Sequence, residues 1–353
     1  MSEAIKVLII DDSAVVRQVL TKILGDQPDI EVVAACIDPL YAREKIKALK
    51  PDVITLDIEM PRMDGLTFLD KLMRLHPLPV VMISTLTDAG ADATLKALEL
   101  GAIDFVSKPK SDTRNRLTDE YAEEVIAKVR MAAKSRVCTR QVSNTMQPSM
   151  LASVGFKTTE SIVAIGASTG GIEAIKAVLM QMPADAPRMV ITQHIPAPFA
   201  GPFAERMNRC CRVSVALAKQ GQQILPGHAY IAPGDQHLEV RRDGARFTCH
   251  LGSHDPVNRH CPSVEVLFDS VAKHAGQNAI GVMLTGMGKD GAEAMLRLRQ
   301  TGARTIAQDE ASSVVWGMPG EAVKIGAAEL QAPLHKIPQI ILKLLSQQQL
   351  FAS

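Results

Sequence analysis

A serine framed by glycines stands between a strand pattern and a helix pattern in the middle of the chain. Residues 162–165 are apolar with β-branched side chains, which is typical of a buried strand, and the run stops at Gly166. The spacing Gly166-x-Ser168-x-Gly170 matches a nucleophile elbow, a sharp turn that exposes the serine hydroxyl. The N-terminus of the following helix offers backbone N–H groups to an oxyanion. A Gly-rich packing turn or a phosphate-binding loop fits the same motif equally well.

Two further residues can complete a hydrolytic site with this serine. His194 and Asp290 each come just after a predicted strand, as Ser168 does, so a parallel sheet can bring all three to one edge. Imidazole can take the serine proton, and a carboxylate can orient the imidazole. The chain order Ser, His, Asp differs from that of the α/β-hydrolases, which predicts a different fold. The other histidines of the C-terminal half are interpreted as structural: His228, His237, His250, His254, His260, His274 and His335.

The spacing Gly286-x-Gly288-x-x-Gly291 supports a competing interpretation. It follows a predicted strand and opens a predicted helix, as a dinucleotide-binding fingerprint does. Two observations weigh against a nucleotide-binding enzyme. Asp290 lies inside the loop, where its charge would face a pyrophosphate, and the motif comes too late to leave a dinucleotide-binding half.

Polar residues also follow the strands of the N-terminal part. Asp11 and Asp12 end the first predicted strand, Asp57 ends the third, Ser84 follows the fourth and Lys108 follows the fifth. In an open α/β sheet this edge binds ligands. Three converging carboxylates repel one another unless a hard cation neutralises them, which predicts Mg²⁺. The lysine beside them can pair with an added phosphoryl group.

These residues resemble the phosphoacceptor set of response-regulator receiver domains. The resemblance covers residues 1–135 and implies that a histidine kinase phosphorylates Asp57. It further implies two groups of site residues. Mg²⁺ would be held by Asp12, Asp57 and the Glu59 backbone carbonyl, with Asp11 helping through water. The phosphate would be sensed by Ser84, Lys108 and an aromatic switch residue, Phe105.

The elements that position these residues alternate between strand and amphipathic helix in both halves, which predicts two doubly wound α/β domains. We expect a five-stranded, flavodoxin-like receiver domain at 1–135 and a catalytic domain at 161–353 with a mostly parallel sheet. A turn at Asp243 and Gly244 predicts a β-hairpin within the second domain. Residues 136–160 are polar and lack an apolar stripe, as a linker does.

Composition excludes several other classes. A net charge of +1 and an aromatic content of 3% give no basis for binding nucleic acid. Six scattered cysteines predict reduced thiols rather than a disulfide framework. The N-terminus is not a signal peptide, and no apolar run approaches bilayer length. We therefore expect a cytoplasmic protein without membrane insertion.

Three segments of the second domain carry a second resemblance. Gly-Ala-Ser-Thr-Gly-Gly, Gln-His-Ile-Pro and Leu-Thr-Gly-Met-Gly-Lys-Asp-Gly, behind a receiver, resemble the chemotaxis protein-glutamate methylesterase family nearly end to end. The resemblance implies phosphorylation-activated hydrolysis of glutamate γ-methyl esters on chemoreceptor cytoplasmic helices, with glutamine deamidation as a second activity. Ser168 would be the nucleophile, His194 the base and Asp290 its orienting acid, with no metal in this domain. The backbone N–H groups of Thr169 and Met287 are candidates for the oxyanion hole.

Two departures and one alternative qualify this resemblance. Cys261 and Glu265 stand where the family usually has Arg and Asp, so a substrate contact there is not expected to carry over. A receptor-binding module with a decayed site, regulated by the receiver, is the main alternative besides the nucleotide-binding enzyme. If the site is active, we expect the unphosphorylated receiver to block large substrates and phosphate on Asp57 to relieve the block.

Overall fold

A computed structural model describes residues 3–85, 87–108, 119–135, 161–252 and 255–352. The chain divides into two compact units, Met1–Asn144 and Thr145–Ser353, and each is described by itself. The predicted linker at 136–160 lies outside the described residues. No helix in the described ranges combines the length and apolarity needed to cross a bilayer.

The first unit contains one parallel sheet with helices between its strands. The strand order is β2-β1-β3-β4-β5, and every pair is parallel. The predicted five-stranded, flavodoxin-like arrangement is confirmed. The elements are β1 (Ile5–Ile10), α1 (Ala14–Gly25), β2 (Ile30–Cys36), α2 (Pro39–Leu49), β3 (Val53–Asp57), α3 (Gly65–Leu75), β4 (Val80–Ser84), α4 (Asp88–Glu99), β5 (Asp104–Ser107) and α5 (Asp119–Lys134).

Short polar residues after the strands start the helices of this unit. Ser13 accepts a hydrogen bond from Val16 N at the start of α1. Asp38 and Asp64 cap α2 and α3 in the same way. An oxygen at the cap position satisfies a backbone donor that the first helical turn leaves open. The strands themselves are buried between the helix layers, as the continuous apolar runs predict.

The second unit contains a seven-stranded parallel sheet and a separate antiparallel hairpin. The sheet order is β14-β13-β12-β6-β7-β9-β8, and the hairpin pairs β10 with β11. The predicted mostly parallel sheet with a hairpin is confirmed. The elements are β6 (Ile162–Ala167), α6 (Gly171–Leu179), β7 (Arg188–Gln193), α7 (Ala197–Cys210), β8 (Ser214–Leu217), β9 (His228–Ile231), β10 (His237–Asp243), β11 (Arg246–Gly252), α8 (Val264–His274), β12 (Ala279–Met283), α9 (Ala292–Gln300), β13 (Arg304–Gln308), α10 (Met318–Lys324), β14 (Leu330–Ala332) and α11 (Ile337–Ala352).

The winding of the larger sheet reverses at β6. The chain continues from β6 to β7 on one side, and β12 later pairs with β6 on the other. In open α/β sheets, the carboxyl ends of the strands at such a reversal form a crevice that binds ligands. The loops that follow β6, β7 and β12 therefore meet there.

Gly166 at the end of β6 gives the helix α8 room to approach the crevice. A Cβ atom at Gly166 would lie 2.3 Å from Val264 Cγ1, and one at Gly291 would lie 2.4 Å from the same atom. Real Cβ atoms do not approach other carbons so closely, so both positions need glycine. Val264 is fully buried between them at the first turn of α8.

We expect Gly166→Ala to lower the free energy of unfolding of the second unit by about 1–3 kcal/mol, because the added methyl group overpacks the contact with Val264. Gly201→Ala is the matched control, since nothing lies within 4 Å of its Cβ position and alanine is the better helix former. Urea unfolding can be followed by the fluorescence of Trp316, the single tryptophan. Equal stability of Gly166→Ala and the wild-type protein would contradict the packing argument.

Candidate active site and phosphorylation site

Ser168 lies in a tight turn between β6 and α6. Its carbonyl accepts a hydrogen bond from Gly171 N at 2.7 Å, and its N–H donates to Thr285 O at 3.0 Å. Gly170 has a φ of +74°, a left-handed conformation that glycine adopts without steric cost. Ser168 is half-buried. The backbone thus turns sharply at the position that the elbow spacing predicts. This turn places Ser168 at the edge of the crevice.

His194 lies beside Ser168 because their strands are in register. Ala167 and Gln193 are partners across β6 and β7, so the two site residues directly follow paired positions. His194 N donates to Ala167 O at 3.1 Å, and its Nε2 lies 2.9 Å from Asp290 Oδ2. Nδ1 is buried and has no hydrogen-bond partner among the described residues, Ser168 Oγ included. The unpaired Nδ1 is therefore the nitrogen able to receive a proton, and apo sites often show such hydrogen bonds open.

Asp290 is held as a carboxylate by donors on several segments. Its side chain is 2% exposed. Burial acts to raise its pKa, but hydrogen bonds and the charge of His194, with Asn258 and Ser263, lower the pKa to about 2. The donors are His194 Nε2 at 2.9 Å, Asn258 Nδ2 at 2.9 Å, Ser263 Oγ at 2.7 Å and Val264 N at 2.7 Å. This carboxylate can fix the imidazole ring and stabilise an imidazolium ion.

The depressed pKa of Asp290 predicts a pH-dependent contribution to stability. A carboxylate whose pKa falls from 3.8 to about 2 on folding stabilises the fold above pH 3.8, and this stabilisation disappears as the pH falls through about 2. The contribution is about 2 kcal/mol. We therefore expect the difference in unfolding free energy between the wild-type protein and Asp290→Asn to shrink by that amount between pH 5 and pH 2. Urea unfolding at the two pH values measures it, and a constant difference would contradict the assignment.

A segment that carried no motif supplies two further neighbours of the site. Residues 257–260 form a tight turn in which Asn258 and Arg259 have φ values of +51° and +68°. Asn258 donates to Asp290, and the ring of His260 stacks on that of His194 with centroids 3.8 Å apart. The structural interpretation of His260 did not anticipate this contact. Residues 257–260 do not follow a predicted strand. The available signal in the sequence was the tendency of asparagine to adopt a left-handed turn conformation.

The two predicted oxyanion residues lie on the loops that carry Ser168 and Asp290. Thr169 is 6% exposed, and its carbonyl accepts a hydrogen bond from Thr285 Oγ1 at 3.0 Å. Met287 is 38% exposed. Their roles stay predictions. Glu265 accepts a hydrogen bond from Gly291 N at 3.0 Å and pairs with Arg297, so its carboxylate ties α8 to the Asp290 loop.

The glycine-rich loop after β12 is occupied by internal contacts. Gly286 N donates to Val315 O, and Gly291 N donates to Glu265. The buried carboxylate of Asp290 lies within the same loop. A dinucleotide fingerprint needs its backbone N–H groups directed at a pyrophosphate, so this arrangement disfavours the nucleotide-binding interpretation.

The first unit brings its acidic residues together at the carboxyl edge of its sheet. Side-chain oxygens of Asp11, Asp12 and Asp57 all lie within 4.8 Å of one another. Asp11 and Asp57 are buried, whereas Asp12 is exposed. Lys108 Nζ lies 2.7 Å from Asp57 Oδ2 and 3.4 Å from Asp11 Oδ2. Three carboxylates with one solvent-facing member fit the oxygen ligands and retained waters that Mg²⁺ requires.

Burial and neighbouring charges raise the pKa values of two carboxylates in this cluster. Burial, together with the charge of Asp11, raises the pKa of Asp57 to about 6 although Lys108 opposes the shift. Burial also raises the pKa of Asp11. Ser84 is buried, and its Oγ accepts a hydrogen bond from Thr94 Oγ1 at 2.6 Å. Phe105 is buried as well. The phosphate-sensing roles of Ser84 and Phe105 stay predictions. The role of the Glu59 carbonyl as a metal ligand also stays a prediction.

Together, the two units define a response regulator whose output unit is an α/β fold with a Ser-His-Asp arrangement at its switch point. Residues 7–120 match the response regulator receiver domain, and residues 163–341 match the CheB methylesterase. The chain belongs to the CheB methylesterase family.

Full-length relatives and a solved structure agree with this placement. A protein-glutamate methylesterase/protein-glutamine glutaminase of Xanthomonas campestris pv. campestris is 57% identical over 351 residues, covering 97% of this chain and 98% of the relative. One of Geobacter metallireducens is 54% identical over 346 residues, covering 96% and 95%. The crystal structure of the Thermotoga maritima CheB methylesterase catalytic domain is 33% identical with a TM-score of 0.52, covering 52% of this chain and 98% of that one.

Proposed function

We propose that this protein hydrolyses glutamate γ-methyl esters on the cytoplasmic helices of chemoreceptors and releases methanol. Its relatives are named for this activity and for protein-glutamine glutaminase activity, so the proposal includes glutamine deamidation. One observation carries it. His194 is bonded through Nε2 to the buried Asp290 carboxylate, and its Nδ1 is left unpaired beside the elbow that holds Ser168.

The geometry supports a two-step acyl transfer. Ser168 Oγ attacks the ester carbonyl while Nδ1 of His194 takes its proton. The tetrahedral oxyanion is stabilised by the backbone N–H groups of Thr169 and Met287. Collapse breaks the bond to methoxide, which leaves as methanol with the proton from His194. A water molecule, deprotonated by the same imidazole, then hydrolyses the acyl-enzyme to glutamate. With glutamine as substrate, ammonia leaves instead of methanol.

The receiver unit controls this activity through Asp57. A chemotaxis histidine kinase supplies the phosphoryl group. Asp11, Asp12, Asp57 and the Glu59 carbonyl would hold Mg²⁺, which would supply positive charge against the phosphoryl oxygens. Lys108, which pairs with Asp57 in this structure, pairs with the phosphate. The Ser84 hydroxyl exchanges its hydrogen bond with Thr94 for one to the phosphate. The aromatic ring of Phe105 then changes its rotamer. The phosphorylated form is the active one.

Methanol release from membranes with methyl-labelled chemoreceptors tests the proposal. We expect release by the wild-type protein and a faster release after treatment with acetyl phosphate and Mg²⁺. A receptor-binding module without activity would bind the membranes, release no methanol and fail to react with a serine-directed fluorophosphonate. Absence of methanol under both conditions would overturn the proposal.

A further inference from the structure

The side chain of Gln193 joins the two loops of the active site. Gln193 is the last residue of β7 and is 3% exposed. Its Nε2 donates to Ser168 O at 2.9 Å and to His194 O at 3.0 Å. A single amide group thus uses both of its hydrogens on the backbone of the nucleophile and of the base.

The oxygen of the same amide occupies a space that only glycine leaves open. Gln193 Oε1 lies 2.1 Å from the position that a Cβ atom at Gly171 would take. Gly171 is the first residue of α6 and the second of the paired glycines after Ser168. This approach gives a physical reason for Gly171, which directly follows the elbow, since any larger residue would displace the amide.

The hydrogen bonding of the Gln193 amide is incomplete. Oε1 is buried and has no hydrogen-bond partner among the described residues. A buried polar atom without a partner is unfavourable compared with an apolar side chain of the same size. Ser168 O already accepts a hydrogen bond from Gly171 N. Replacement of the amide therefore leaves Ser168 O with a donor and removes an unpaired buried oxygen, which offsets part of the cost of losing the hydrogen bond to His194 O.

We propose that Gln193 is a positioning residue that fixes the distance between the backbones of Ser168 and His194. By holding both carbonyls on one nitrogen, it keeps the turn that carries Ser168 next to the backbone of His194. The inference rests on the proposed roles of those two residues. A displacement of about 1 Å between reacting groups can lower a rate about 100-fold, so the amide acts on turnover rather than on substrate binding.

Gln193→Met is the main test, because methionine keeps the volume and removes both donors. We expect a fall in kcat of about 10- to 100-fold, with KM for receptor membranes within about twofold and a fall in Tm no larger than that of Thr305→Val. The labelling rate of Ser168 by a fluorophosphonate should fall in parallel. Gln193→Glu, which directs carboxylate oxygens at the two carbonyls, should lose at least as much.

Thr305→Val is the matched control for the loss of a buried hydrogen-bonding group. Thr305 is fully buried at β13, donates to Ala327 O and accepts from Glu329 N. We expect it to lower Tm without changing the labelling rate of the folded protein. An unchanged kcat in Gln193→Met would overturn the inference, as would an activity loss that merely follows its Tm. If the wild-type protein labels at Ser168 but releases no methanol, the proposed activity fails, and the labelling comparison still tests Gln193.

Discussion

Replacement of Ser168 by alanine is expected to lower methanol release by at least about 10⁴-fold. The hydroxyl supplies the only oxygen in the proposed site that forms the acyl bond, and it lies at the elbow between β6 and α6. His194→Ala should cost a similar factor, because the nucleophile and its base act as one unit. Asp290→Asn should retain more activity than either, since Asp290 orients the ring and does not itself exchange the proton.

Rates of methanol release at saturating receptor measure these effects. Ser214→Ala and His228→Ala are matched controls in the same unit. Ser214 is exposed at β8, and the His228 side chain donates through Nδ1 to Pro226 O and stacks on Tyr230. Both should release methanol at the wild-type rate. Turnover by Ser168→Ala close to that of the wild-type protein would refute the nucleophile assignment.

Asp57→Asn should abolish stimulation by acetyl phosphate while leaving the basal rate in place. Phosphorylation of Asp57 adds a charge of about −1.5 to −2 beside Lys108 and Asp11. The net charge of this buried group therefore becomes more negative. Coupling between two sites of a protein is typically worth 1–3 kcal/mol, or roughly 5- to 150-fold, and we expect stimulation of the wild-type protein within that range. The asparagine variant cannot form the acyl phosphate and should show none.

The ratio of methanol release with and without acetyl phosphate measures this prediction. Asp70→Asn is the control, because Asp70 lies on α3 and pairs with the exposed Arg74. Removal of residues 1–135 adds a second comparison, since relief of inhibition should raise the basal rate. Stimulation that survives in Asp57→Asn would place the phosphorylation site elsewhere, and an unchanged or lower rate after the deletion would exclude simple autoinhibition.

The sequence was sufficient to predict the fold class and the placement of the main site residues. Strand ends are visible as apolar runs that stop at polar residues, and a parallel topology brings such ends to one edge. That rule predicts the placement of Ser168 beside His194 and of Asp11 and Asp12 beside Asp57. Short or late elements such as β14, which has three residues, produce too little periodicity to be predicted.

The contacts that complete the site were not accessible from the sequence. Asn258 and His260 contact the triad from a turn without a strand or motif. Ser263 was predicted only as the start of a helix, and its hydrogen bond to Asp290 depends on side-chain packing over a long sequence distance. Which imidazole nitrogen faces Asp290 is a matter of ring orientation, and here it is Nε2. Gln193 reads in the sequence as the end of a buried strand, and its role emerges only from the two carbonyls it bridges.

The most direct test of the account is mass spectrometry of a chemoreceptor peptide that carries a glutamate γ-methyl ester, incubated with the phosphorylated protein. If Ser168 is the nucleophile, the wild-type protein should convert the ester to glutamate, which lowers the peptide mass by one CH₂ group. Ser168→Ala should convert none. An intact ester after incubation with the wild-type protein, or equal conversion by both proteins, would contradict it.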